Sequence, residues 1–218
     1  IMRGVLEEKT SRVAEVVVSS VKPDTLLTGK ILGSGLVALT QVFAWLLMTL
    51  LMYQVRVPIL KAFGAAPAMM AGAIKIPTVP PVIGIVLLLF FVLGFVLYAA
   101  MFGAVGAMVS NQEDIQQAAM PVMIMLVSSI IFMQPILLNP SSTLAVVMSI
   151  VPFSAPLMMP LRMALISIPW YEIVGSLASV TIGCWIAIWL SARIYRVGLL
   201  MYGKRPSIRE LARWIRMA

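Results

Sequence analysis

The sequence predicts an all-α integral membrane protein with four membrane spans, and three observations carry that prediction. Of 218 residues, 61% are apolar and only 11% charged, with a mean hydropathy of +1.04. Soluble domains sit near half apolar and about a quarter charged. Four apolar runs, at 26–53, 82–109, 118–138 and 171–194, are each long enough to cross a bilayer as a helix. The charges gather outside those runs, and their net of +8 falls mainly at the two ends of the chain. A basic balance placed this way is read against a membrane surface and not against nucleic acid. The whole of 1–218 is expected to form one transmembrane domain.

Residues 1–25 come first and are too polar to span. Leu6, Val13, Val16 and Val17 share one helical side, and Glu8, Arg12 and Glu15 share the other. Glu8 and Arg12 are an i,i+4 pair in the favourable order. The expectation is an amphipathic cytoplasmic helix at the membrane surface. Lys22-Pro23 ends it, because proline lacks an N–H and restricts the residue before it, and Asp24 is placed to cap the next helix. The opening Ile1-Met2-Arg3 has no signal-peptide n-region, and it reads as a longer chain entered partway.

The first span follows. Its apolar core at 31–53 would rise roughly 35 Å, enough for a hydrocarbon layer of about 30 Å. Gly29, Gly33 and Gly35 thin its start, and Gly29 and Gly33 form a small-xxx-small pair suited to close helix packing. Residues 54–80, with Pro58, Pro67, Pro77 and Pro80, read as a surface connector. The second span starts behind Pro80-Pro81, where proline is tolerated in a first turn. A polar loop at 110–117 leads to the third span, which Asn139-Pro140 closes.

The segment 141–168 is apolar but broken by Pro152, Pro156 and Pro160. Two short helices that dip in and return fit this pattern, as a re-entrant extracytoplasmic hairpin; a proline-kinked fifth span is the alternative. Arg162 is the one charge there and should reach the interface or pair with protein. After the last span, 195–218 form a cytoplasmic tail with a Ser207…Glu210 capping box. Ile208, Leu211 and Ile215 line one face of it, with Trp214 beside them, and Arg209, Arg213 and Arg216 line another. This is the pattern of a helix lying on an anionic leaflet. Four spans put both basic ends on one side, which the positive-inside rule assigns to the cytoplasm.

Several chemistries are excluded or weak. No GxxxxGK[ST] loop is present, since Gly29-Lys30 is followed by Ile31, so ATP hydrolysis is not expected on this chain. The sequence has no histidine, its carboxylates lie mostly at surface positions, and no metal site or bound cofactor is expected. Cys184 has no second cysteine to pair with. Glu7-Glu8-x-x-x-Arg12 resembles the EExxxR signature of a class of intramembrane proteases, but the histidines that complete such a site are missing. A non-transporting membrane scaffold or assembly protein would share the hydropathy and charge bias. A secondary transporter would call for ionisable groups at mid-membrane depth.

Three stretches carry a resemblance to a known family. They are EEKTSRVAEVVVSSVKPDTLLTGKILG before and into the first span, the proline-broken VPFSAPLMMPLRMAL, and the tail YGKRPSIRELARWIR. Together the arrangement resembles the permease subunit of ABC-2 family transporters, in the branch similar to bacterial sodium-efflux permeases. The resemblance implies an exporter subunit in the cell (inner) membrane that pairs with a second permease subunit. It also implies a separate cytoplasmic ABC ATPase subunit that holds ATP and Mg. On that reading Glu7, Glu8, Arg12, Glu15, Lys22 and Pro23 form the contact that receives force from the ATPase. Such permeases usually have six spans, and this chain corresponds to the coupling segment, four spans and the tail. The substrate stays open among sodium, lipid, drug and peptide.

Overall fold

A chain at home in lipid has to satisfy its backbone hydrogen bonds internally, and helices do this within one segment. The computed structural model describes residues 2–10, 23–62, 80–109 and 111–198, and among them the regular structure is helical with no strand. The helices are α1 (Met2–Thr10), α2 (Pro23–Ala62), α3 (Pro81–Met108), α4 (Asp114–Leu138), α5 (Thr143–Met148), α6 (Ala155–Leu165) and α7 (Trp170–Gly198). Four of them, α2, α3, α4 and α7, are long and apolar enough to cross a membrane.

The predicted spans fall inside helices except at Val109, which is extended just past the end of α3, and the other differences also lie at the ends. The first spanning helix, α2, runs on to Ala62 and not to 53, so residues expected in the connector, Pro58 included, are helical. One proline removes one N–H, and the turns on either side carry the helix past it. At the start, Pro23 is itself the first helical residue, so Asp24 lies inside the first turn and does not precede it as a cap. A fixed φ near −65° suits proline to that first position. The third span begins four residues early, at Asp114, and contains both Pro121 and Pro135. The last helix extends through Gly198, beyond the 194 expected.

The centre of the fold is the pair α3 and α7. Phe90, Leu97 and Ala100 of α3 share one buried cluster with Val180, Cys184 and Ala187 of α7. Small residues let the two backbones approach, and polar side chains then bond across. Ser191 Oγ donates to the Ala100 carbonyl at 2.8 Å, and Cys184 Sγ to the Leu93 carbonyl at 3.1 Å. The first helix packs on the last turns of α3. A Cβ at Gly106 would stand 2.7 Å from the Met2 carbonyl oxygen, so glycine is what allows that approach. Val5 and Leu6 are buried there.

The helix α2 joins this core only by its first turns. Leu27 and Ile31 are buried with Tyr195, and Gly35 lies against the Phe95 ring. From Leu36 onward it is largely uncovered, with Leu36 64% and Trp45 68% exposed. The mid-helix Gln41 is exposed too.

Candidate functional site

The proline-broken segment forms two short helices, α5 of six residues and α6 of eleven. At 1.5 Å per residue neither reaches about 30 Å, so neither crosses by itself. Ser142 starts the first by accepting from the Ala145 N–H at 3.2 Å. Between them the chain turns at 149–154 and inserts that turn among the long helices. A Cβ at Gly183 would lie 2.6 Å from Pro152 Cβ, and one at Gly94 would lie 2.6 Å from Pro156 Cβ. Gly94 and Gly183 stand at the midpoints of α3 (28 residues) and α7 (29 residues). The turn therefore reaches halfway along the two central helices. Tyr98 of α3 fixes it there, donating from its hydroxyl to the Phe153 carbonyl at 2.7 Å.

The other end of the hairpin is held by charge. Arg162 is 2% exposed. Its Nη1 donates to Glu172 Oε2 at 3.0 Å and to Ser149 Oγ at 2.6 Å, and its Nε donates to the Pro140 carbonyl at 2.9 Å. One guanidinium thus joins the end of α4, the end of α5, α6 itself and the first turn of α7. Ser176 of α7 adds a bond from its hydroxyl to the Ser149 carbonyl at 2.5 Å. A buried cation needs such a set of partners, because burial without them costs several kcal/mol or more.

Beside the inserted turn lies a cavity of about 570 Å³. It follows one face of α3 through Phe90, Phe91, Phe95, Tyr98 and Phe102. Ser34 of α2 and Leu126 of α4 form its sides. Pro156 and Leu157 of α6 also line it, as does Met2 of α1. Its size and aromatic lining are those of a small-molecule site.

The residues singled out from sequence fall in four groups. Glu7 is on α1 and exposed, and Glu8 belongs to the same helix. Arg12, Glu15 and Lys22 lie outside the described residues, as do Arg209, Arg213, Trp214 and Arg216. Pro23 opens α2. Of the three glycines, only Gly35 meets a neighbour, a Phe95 ring carbon 3.3 Å from its built Cβ; Gly29 and Gly33 face open space among the described residues. No group of histidine, cysteine and carboxylate residues able to hold a metal is found among the described residues.

Sequence reasoning left Arg162 either the interface or a protein partner, and it did not find Glu172. The signal was present: Arg162 and Glu172 are the only charged residues between positions 115 and 192, and they are of opposite sign. The cavity had no comparable signal, since phenylalanines at helical spacing on an apolar span read equally well as lipid-facing.

Comparison with known proteins gives a family. The family described as ABC-2 family transporter protein matches residues 1–193. Uncharacterized protein MJ1024 of Methanocaldococcus jannaschii is 28% identical over 215 residues, covering 99% of this chain and 49% of that protein. Uncharacterized protein YhaP of Bacillus subtilis is 29% identical over 214 residues, covering 98% of this chain and 50% of that protein. The chain therefore spans about half the length of the curated relatives it matches. No solved structure matches it.

Proposed function

Because the chain belongs to the ABC-2 family of transporter proteins, we propose that it is the membrane-spanning part of an ATP-driven exporter. A separate cytoplasmic ATPase subunit binds ATP and Mg, and two permease chains pair around the route. The observation that carries this reading is the inserted turn at mid-length of α3 and α7 with a cavity beside it, lined in part by Pro156 and Leu157 of α6. A route closed on one side by a re-entrant hairpin and hollow on the other is one half of an alternating-access cycle.

The orientation follows from charge. Arg3 is exposed on α1, beside the last turns of α3, and Arg193 lies near the end of α7, its guanidinium 4.1 Å from the Trp189 ring centroid. At the hairpin end Arg162 is committed to Glu172, and Arg56 and Lys61 fall in the last turns of α2, against Arg3, Lys9, Lys30, Arg193 and Arg196 towards the α1 end. The α1 end is accordingly assigned to the cytoplasm of the cell (inner) membrane. There Glu7, Glu8, Arg12 and Glu15 are taken as the face that meets the ATPase, and Pro23 as the joint passing its movement to α2.

Co-purification tests the proposal. The full-length protein, solubilised gently, should bring down an ATPase subunit carrying Walker motifs at near-equal stoichiometry. Reversing Glu8 and Arg12 together with Glu15 should abolish that association. Recovery of the protein with no such subunit, under conditions that keep it folded, would favour a membrane scaffold and end the exporter reading.

A further inference from the structure

We propose that the cleft along α3 takes the hydrocarbon chain of a membrane amphiphile, which makes lipid-like molecules the substrate class. This rests on the exporter reading for the step of transport, though not for binding. Four observations lead to it. Among the described residues lining the cleft there is no charged side chain, and five are Phe or Tyr. The two hydroxyls present both point their donors at backbone: Ser34 Oγ to the Lys30 carbonyl at 2.5 Å, and Tyr98 to the Phe153 carbonyl. Their two oxygens keep lone pairs, but two hydroxyls fall short of the ring of oxygens that replaces a cation's water shell. A strongly polar cargo would lose its hydration here without return.

Shape and access narrow the class further. From Phe90 to Phe102 the cleft follows α3 for about 18 Å at 1.5 Å per residue. It is long in one direction, as an extended acyl chain is. The helix α2 packs chiefly on α3 and α7. Ser34 of α2 and Leu126 of α4 flank the cleft, each within the apolar length of its helix. A ligand that is already in the bilayer reaches it without crossing water. Because lipid and cleft are equally apolar, the gain comes from packing against aromatic rings and not from leaving water. Binding should be saturable and selective for chain shape.

Photolabelling tests the assignment. The probe is a long-chain fatty acid with a diazirine at mid-chain, added to the full-length protein in nanodiscs and mapped by peptide mass spectrometry. Label is expected on α3 between Phe90 and Phe102, and it should be lost when unlabelled fatty acid competes. Leu126→Trp and Leu157→Trp, which fill the cleft from opposite walls, should each lose the α3 label. Leu138→Trp, 82% exposed at the end of α4, should keep it. Label spread without competition over α2 at 36–55, or no α3 label because another protein segment fills the cleft, overturns the proposal. In the complex with its ATPase, the fatty acid should stimulate ATP hydrolysis by the wild type and not by the two filled variants. Stimulation that survives both fillings overturns the substrate assignment. Absence of any ATPase overturns the exporter reading alone.

Discussion

Arg162 shares one guanidinium among Glu172, Ser149 and the Pro140 carbonyl, and its removal strands several of them at once. Glu172 keeps 18% of its side chain exposed, against 3% for the arginine, so the larger penalty belongs to the arginine's site. Arg162→Leu is expected to destabilise by about 3–5 kcal/mol, the usual cost of breaking a buried pair by removing one partner. Thermal unfolding in detergent would read this. The double variant Arg162→Met with Glu172→Leu should recover part of the loss, because no stranded charge remains. Equal destabilisation of single and double variants would mean that the serine and carbonyl contacts, and not the ion pair, hold the site. The pair was half legible in the sequence, where two lone opposite charges stand in a long apolar stretch. The serine partners were not, since Ser149 and Ser176 look like any other small residues of a membrane helix.

Glycine substitutions separate close packing from mere helix thinning at the same scale. A Cβ on Gly94 would meet Pro156 at 2.6 Å, and the rigid ring cannot swing aside. Gly94→Ala should therefore cost about 1–3 kcal/mol, the range for overpacking. Gly84, on the same helix, has nothing within 4 Å. Gly84→Ala should be neutral or stabilise by roughly 0.5–1 kcal/mol through lost unfolded-state freedom. Paired unfolding curves check both, and equal shifts in the same direction would show that the Pro156 contact is not decisive.

Among elements, the hairpin of α5 and α6 is held to α7 at Ser176 and to α3 at Tyr98. Ser176→Ala leaves the Ser149 carbonyl without its buried donor, and a cost of about 1–3 kcal/mol is expected. A shift smaller than that of an exposed control such as Thr181→Ala would contradict the role given to this bond. The sequence made the hairpin legible through Pro152, Pro156 and Pro160, which leave no long uninterrupted run. How deep it inserts was not legible. That depth depends on two prolines meeting two glycines from elements far away in the chain, and nothing local encodes such a meeting. Boundaries were missed for a simpler reason. Pro58 looks like a break, yet a helix with turns on both sides absorbs one missing N–H.

Among the described residues, one helix is barely covered by the others. Beyond Gly35, α2 displays apolar side chains on a segment whose relatives are about twice as long as this chain. Its burial is thus a property of the bilayer or the assembly, and local pattern could give its existence but not its neighbours.

The orientation of the bundle yields a prediction at this same scale. Glu7 on α1 and Trp170 at the start of α7 are both exposed and sit at opposite ends of the α3–α7 pair. Cys184 is the sole cysteine and only 5% exposed, so it should contribute little background to thiol labelling. With four crossings and the basic end inside, Trp170→Cys should react with a membrane-impermeant maleimide in intact cells. Glu7→Cys should react only after the membrane is opened. The opposite pattern would invert the orientation and place the hairpin in the cytoplasm, next to the ATPase instead of across the membrane from it. Reaction of both cysteines from one side would mean that α3 and α7 do not each cross, which the paired midpoints at Gly94 and Gly183 require if the inserted turn is to close a route through the membrane.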